Sequence, residues 1–253
     1  MSNKLSILVV AHNEAHQLRD CLDRLKFGDE VVVVIDKCTD NSKAIALEYT
    51  DKILEGCWEL EGHRRNAGIE FCTGDWVLEV DADERVQPQL AVEIREVISS
   101  TTADYHLVPI ENYVGGTLVR HGWGGSFGTA SDLALFKKFA KRWGTQRVHP
   151  SLTLKGTKGH RLTHGIDHYV DDNLADMIHR LNRYSTLRAL DMFDAGQPAR
   201  LLPNVRRLFS RFIKCYWSRN GYKEGFYGFT IALCAGLFPL LSVLKLRELH
   251  LKK

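Results

Sequence analysis

The six cysteines, at positions 21, 38, 57, 72, 215 and 234, include no C-x-x-C pair. Their scatter argues against a zinc site and a dense disulfide framework, and fits a reducing compartment. No G-x-G-x-x-G follows the first strand-like run, which opens instead into Ala11-His12-Asn13-Glu14. That disfavours a dinucleotide site. A sugar-phosphate nucleotidyltransferase would call for a glycine-rich basic loop at the same place, and none is there. The chain has no internal repeat and no low-complexity linker. Its first residues, Met-Ser-Asn-Lys-Leu-Ser, lack the charged n-region, apolar h-region and cleavage site of a secretory signal. The body of the chain is therefore expected in the cytosol.

The 253 residues, 44% of them apolar, are enough for one large domain or one domain with an appendage. A net charge of +3 hides an asymmetry: residues 200–253 carry 11 Lys/Arg against 2 Asp/Glu, a local +9, and residues 1–199 carry −6. A basic tail on an acidic body points to a polyanionic partner, phospholipid or nucleic acid.

Residues 5–10, 30–35 and 76–80 are short, mainly apolar runs, the pattern of strands buried on both faces. Between and after them, helices are predicted over 14–26 (capped by Asn13), from Asp40-Asn41-Ser42 onward, over 63–72, and over 88–99 with Pro88 in the first turn. A short strand is predicted at 52–54. This βαβαβαβα rhythm implies an α/β fold with a mostly parallel sheet covered by helices, and ligands at the carboxyl ends of its strands. After residue 100 the spacing predicts strands at 105–110, 113–119 and 133–137, a glycine-rich loop at 122–128, and a helix over 174–195.

Two strand ends carry carboxylates: Asp36, and Asp81 with Asp83. A carboxylate just past a strand can accept hydrogen bonds from ribose hydroxyls or a base edge. An Asp-x-Asp pair there can hold a hard divalent cation through oxygen ligands and leave positions for phosphate oxygens. Such pairs also occur in ordinary surface turns, so the weight comes from their following buried strands.

Several blocks carry a resemblance: Val9-Val10-Ala11-His12-Asn13-Glu14; Asp36 with Thr39-Asp40-Asn41-Ser42; Arg65-Asn66-x-Gly68; and Gly74-Asp75-Trp76 with Asp81-Ala82-Asp83-Glu84. In this order they resemble the signature blocks of family 2 glycosyltransferases, over about residues 4–195. Asp81-Ala82-Asp83-Glu84-Arg85 and Leu181-Asn182-Arg183-Tyr184-Ser185-Thr186 are similar to the bacterial lipopolysaccharide-core β-glucosyltransferase branch. The resemblance implies an A-type glycosyltransferase fold, Rossmann-like with helices on both sheet faces, a UDP-sugar donor, Mg or Mn, and inversion at the anomeric carbon. By position, it places Ala11, Glu14 and Asp36 at the uridine, Arg65 near the base or diphosphate, and Asp81 near the ribose. Ala82 lies within the same donor motif, and Asp83 is placed on the metal. An inverting transfer needs a general base; Asp132, before the strand at 133–137, is the first candidate and Glu111 the second.

The chain departs from that branch at Val148-His149-Pro150, where relatives carry Val-His-Glu. A degenerate glycosyltransferase serving as a binding or scaffold protein is the alternative this suggests, although Asp36, Asp81 and Asp83 are intact. His149 is left between a diphosphate contact and a structural role. His160, His164 and His168 repeat every four residues, but Gly159 and Gly165 break any helix that would align them on a metal. Trp123 is a candidate for stacking on a sugar or for core packing.

In the tail, seven basic residues from Arg200 to Lys223 are interleaved with Phe209, Phe212, Tyr216 and Trp217, and residues 225–244 carry no charge. Twenty such residues reach the length of a spanning helix. Basic residues on both flanks keep both ends on the cytosolic side, so an in-plane or re-entrant helical hairpin is expected. The expected layout is a catalytic domain over 1–199 and a membrane-associating tail over 200–253. The expected partners are a UDP-sugar, a lipid-linked glycan acceptor such as lipopolysaccharide core, and an anionic membrane surface, with no nucleic acid. The expected location is the cytoplasmic face of the inner membrane.

Overall fold

The structure, a computed structural model, describes residues 3–124 and 127–252. The chain forms two compact units. The first comprises 1–110, 131–146 and 150–168; the second comprises 111–130, 147–149 and 169–253.

In the first unit, β1 (Leu5–Ala11) is buried along its whole length. β2 (Glu30–Asp36) and β4 (Trp76–Asp81) flank it in parallel, with Val9 opposite both Val33 and Val80. β3 (Ile53–Gly56) extends the parallel set beyond β2. β8 (Ser131–Lys137) runs antiparallel on β4, and β6 (Tyr105–Val114) antiparallel on β8. With β5 (Glu84–Val86) and β11 (Ile166–Asp171) the sheet order is β3-β2-β1-β4-β8-β6-β11-β5. β9 (Lys141–Trp143) and β10 (Leu152–Leu154) make a separate two-stranded ribbon.

The two-residue strand period sorts the apolar run of β1 onto two cores. Leu5, Ile7 and Val9 pack with Leu18 and Leu22 of α1 (Leu18–Leu22) and Leu90 and Ile94 of α4 (Pro88–Ser100). Leu8 and Val10 pack with Val34, Phe136 and Ile69 of α3 (Glu61–Phe71). α3 lies tight on the sheet at Gly68, where a Cβ would sit 2.6 Å from Leu8 Cδ1 and 2.8 Å from Val34 Cγ2. α2 (Ser42–Leu47) follows β2. The α/β architecture is the one the strand–helix rhythm predicts, but the sheet is mixed and not mostly parallel: β3, β2, β1 and β4 run parallel, while β4–β8, β6–β8 and β5–β11 pair antiparallel.

Two local expectations are corrected. The helix expected over 14–26 is only the five residues of α1, and Asn13 does not cap it. Asn13 has φ 60°, and its Oδ1 accepts instead from the Thr39 and Asp40 amides, at 2.7 and 3.3 Å. The strand expected over 113–119 is split: β6 runs on to Val114, the chain turns at Gly115-Gly116, and β7 (Thr117–Val119) returns along its end.

The second unit is built on α5 (Leu174–Asp194), α6 (Leu201–Ile213) and α7 (Gly225–Leu251). Asn173 caps α5 by accepting from the Asp176 amide at 3.1 Å. A π-helical turn at 214–218 and a 3₁₀ turn at 221–224 join α6 to α7. The two helices meet at backbone contact, because a Cβ on Gly236 would lie 2.6 Å from the Leu208 carbonyl oxygen. Met177, Leu181, Ile231, Ala235, Phe238 and Trp123 share one core. The basic tail thus packs with α5, β7 and residues 147–149 in a single unit. The helical stretch Gly221–Leu251, which contains α7, is long and apolar enough to cross a membrane by length and composition; its 18-residue apolar window has a mean hydropathy of 2.0, yet 56% of that window is buried within the protein.

Candidate active site

β1, β2 and β4 are parallel, so their carboxyl ends open on the same side of the sheet. The segment after β1 is stitched to the segment after β2. The Glu14 amide donates to Ser42 Oγ at 2.9 Å and the Ala15 amide to Asp40 Oδ2 at 2.9 Å. His12 Nδ1 lies 2.6 Å from the Asp36 carbonyl oxygen. The 9–14 and 39–42 blocks are thus two sides of one hydrogen-bonded corner.

Asp36 ends β2 and is 4% exposed. Its Oδ1 accepts from the Trp58 amide at 3.0 Å and its Oδ2 from Arg64 Nη1 at 3.1 Å. Asp81 ends β4 and is held by Arg65, whose Nη2 lies 2.8 Å from Oδ1 and 3.0 Å from Oδ2. Arg65 also donates through Nε to Glu61 at 2.9 Å, and its guanidinium lies 5.0 Å over the Trp143 ring. It is buried, not a surface charge of α3. Burial opposes the Asp81 charge, but the Arg65 cation outweighs it and holds the carboxyl below its ordinary range.

The turn after β4 gathers further acids. The Asp81 amide donates to Glu84 Oε2 at 2.8 Å, and Arg85 ties down the Ala82 carbonyl at 2.9 Å and that of Gln17 at 3.0 Å. Asp83 lies 3.3 Å from His168 Nε2. β11 pairs antiparallel with β5, setting His168 opposite Glu84. Burial and the Asp81 charge push Glu84 up to about 8. Burial disfavours the His168 cation, but Asp83, Glu84 and Asp81 outweigh it and hold the imidazole up at about 9. Glu14 is raised by burial and by the fields of Asp83 and Asp81, against a hydrogen bond from Gln17. The result is a concentrated negative field at the strand ends, crossed by Arg64, Arg65 and His168.

Ala11, Glu14, Asp36, Arg65, Asp81, Ala82 and Asp83 therefore all lie in the first unit, on the strand ends and on α3. Asp132 is the second residue of β8, and its Oδ1 accepts from the Leu133 amide at 2.7 Å. The register of β8 on β4, with Leu78 opposite Leu135, carries Asp132 to the end of β4 that bears Asp81. Glu111 belongs to the second unit, where it lies 3.6 Å from Arg120 Nη2. Trp123 is 5% exposed and donates from Nε1 to the Val119 carbonyl at 2.6 Å; it is a core residue, not a sugar platform. The glycine-rich stretch around it includes residues 125 and 126, which lie outside the described residues. His149 sits in the second unit at φ 49°, its ring edge-on to Tyr184.

His168, Glu84 and Arg64 are the contributors that sequence reasoning missed. His160 packs edge-on against His106, and His168 alone of the three spaced histidines faces the Asp-x-Asp turn. Among the described residues no group of three or more His, Cys, Asp or Glu side chains forms a ready-made metal cage. Asp83 supplies an oxygen donor, and His168 a nitrogen donor once a bound cation displaces the proton it shares with Asp83. That set fits a cation whose remaining positions are filled by diphosphate oxygens and water. A cavity of about 690 Å³ lined by Gly74, Asp75, Lys138 and Phe139 lies at the amino end of β4, opposite these carboxylates, and is not this site.

Comparison with known proteins agrees with the geometry. Residues 6–148 match the model of glycosyl transferase family 2. The chain is 22% identical over 262 residues to the lipopolysaccharide core biosynthesis glycosyltransferase LpsC of Rhizobium meliloti, covering 98% of this chain and 94% of that one. It is 26% identical over 263 residues to an uncharacterized glycosyltransferase of Rickettsia felis, covering 98% and 91%. Among solved structures, S. aureus TarS 1–349 aligns with a TM-score of 0.48 at 15% identity, over 73% of this chain and 65% of that one. The family match spans more than half of the sequence and takes in every strand-end carboxylate described above, so the chain belongs to glycosyl transferase family 2 and has its A-type fold.

Proposed function

We propose that the protein is an inverting, metal-dependent hexosyltransferase that moves a hexose, glucose by preference, from a UDP-sugar to a lipid-linked glycan such as lipopolysaccharide core. The observation that carries this reading is that Asp36, Asp81 and Asp83 lie at and just past the carboxyl ends of the parallel strands β2 and β4, each held by a named partner. The likeness to LpsC over nearly the whole chain supports the choice of acceptor.

In this reading Ala11, Glu14 and Asp36 bind the uridine. Asp36 keeps acceptor capacity beyond its bonds to Trp58 and Arg64. Asp81 accepts from the ribose, with Arg65 as its positioning residue, and Ala82 shapes the turn beneath the donor. Asp83 and, once deprotonated, His168 would hold Mg or Mn, which would supply positive charge to offset that of the leaving diphosphate. Asp132 is the general base that takes the acceptor proton as the hydroxyl attacks the anomeric carbon; Glu111 is the second candidate. The basic tail and α7 hold the enzyme on the cytoplasmic face of the inner membrane, peripherally or as a re-entrant hairpin. The Lys/Arg residues contribute about 1 kcal/mol each near an anionic surface.

Calorimetric titration of UDP with and without Mn, on wild type and Asp83→Ala, tests the donor site. Manganese-dependent binding that the substitution abolishes is the expected result. No UDP binding under either condition would refute the reading and leave the scaffold alternative in its place.

A further inference from the structure

A second polar cavity, of about 220 Å³, opens inside the helical unit. Arg188 of α5 and Arg207 and Arg211 of α6 line it together with His149 and Asn204, and its lining includes no acid. The acids on the same stretch of α5, Asp191 and Asp194, are engaged by Arg147 at 3.2 and 2.6 Å. Arg207 donates to Asn204 Oδ1 at 3.1 Å. Among the described residues Arg188 and Arg211 have no ion-pair partner, and Arg211 Nη1 is buried with no hydrogen-bond acceptor at all.

A buried guanidinium N–H without an acceptor costs free energy, and converging cations without a counter-charge add repulsion. Burial and the like charges of Arg207 and Arg188 accordingly push the Arg211 guanidinium below its ordinary value. The arrangement is complementary to an anion. Three cations favour a group that can carry more than one negative charge, and guanidinium forks match the oxygens of a phosphate. The volume suffices for a phosphate and some water, at about 30 Å³ per water.

We infer that this cavity is a phosphate-binding site, distinct from the strand-end carboxylates and independent of the donor reading. The phosphate arrives either on a membrane lipid or phosphorylated glycolipid, or on a soluble molecule. The exposed apolar residues Leu202, Phe209 and Ile213 of α6 make a lipid-borne phosphate accessible to the same helix.

The test uses the full chain, wild type and Arg211→Gln, titrated with inorganic phosphate at constant ionic strength and followed by calorimetry and thermal unfolding. General salting effects of phosphate act on both proteins equally and cancel in the comparison. Phosphate is expected to bind and stabilise the wild type. Arg211→Gln is expected to weaken that binding at least about tenfold, the effect of losing one hydrogen bond to a charged group. UDP binding should be unchanged, which separates this site from the donor site. Vesicles of phosphatidylcholine with phosphatidic acid then identify the source. Arg211-dependent vesicle binding assigns a lipid phosphate, and Arg211-independent vesicle binding alongside Arg211-dependent phosphate binding assigns a soluble one. If Arg211→Gln does not fold, Arg188→Gln poses the same question from α5. Phosphate and vesicle binding equal in wild type and variant would overturn the site.

Discussion

Lys141 and Glu79 form a buried ion pair whose loss can be worked through from the structure. The Lys141 side chain is fully buried and that of Glu79 is 4% exposed. Lys141 Nζ donates to Glu79 Oε2 and, at 2.8 Å, to the Leu133 carbonyl, and lies 4.3 Å over the Trp143 ring. Trp143 Nε1 donates to the other Glu79 oxygen at 2.8 Å. Lys141→Met keeps most of the volume but strands the Glu79 carboxylate with a single neutral donor. Breaking a buried pair from one side costs about 3–5 kcal/mol, mainly because the remaining charge stays buried. Adding Glu79→Leu removes that charge. The double variant then lacks only the hydrogen bonds of the Leu133 carbonyl and Trp143 Nε1, about 1–2 kcal/mol. The expected signature is a double variant more stable than the Lys141→Met single variant by about 2 kcal/mol. Urea unfolding monitored by tryptophan fluorescence measures both. A single variant costing under about 1 kcal/mol, or a double variant no more stable than the single, would refute the reasoning.

Asp29 accepts from Arg95 at 2.8 and 2.9 Å and from the Leu5 amide at 2.7 Å, which together lower its carboxyl to about 2. Because the folded pKa lies below the unfolded one, this contribution is present above about pH 4 and is lost as pH falls through about 2. The pair is more than a third exposed, so Asp29→Asn should cost under about 1 kcal/mol at pH 7 and nothing near pH 2, read from unfolding curves across that range. Trp123→Ala should cost about 3–5 kcal/mol as a core deletion while UDP affinity stays unchanged. A variant of wild-type stability that loses transfer activity would restore Trp123 as a sugar contact.

The parallel half of the first unit was legible because a strand buried on both faces leaves a mainly apolar run, and three such runs end in or just before the residues that matter. What stayed hidden depends on pairing between distant segments. Nothing local to His168 shows that β11 returns alongside β5 and brings its ring to Asp83. Arg64 reads as a helix surface charge until Asp36 is seen 3.1 Å away. Asn13 is a plausible helix cap by type, but the Thr39 and Asp40 amides compete for its side chain and win. The helical tail was legible as apolar and basic. The arginine cavity was not, since its lining comes from α5, α6, α7 and the 148–149 segment.

The partners of the strand-end carboxylates have a consequence for catalysis. An unpaired carboxylate in this cluster relieves the repulsion by taking up a proton, as Glu84 does with its carboxyl pushed up to about 8, or by moving apart. Here Arg65 fixes Asp81 from α3, and His168 fixes Asp83 from β11. Arg65 is in turn pinned by Glu61 and by the Trp143 ring, and Trp143 is anchored on Glu79 two residues before Asp81. The orientation of Asp81 is therefore set by a closed loop of contacts running through β4, α3 and β9. Donor oxygens and a cation would meet groups already in place, so little reorganisation is left for the reacting step. On this argument the Glu79–Lys141 pair belongs to the support of the proposed donor site as well as to the core.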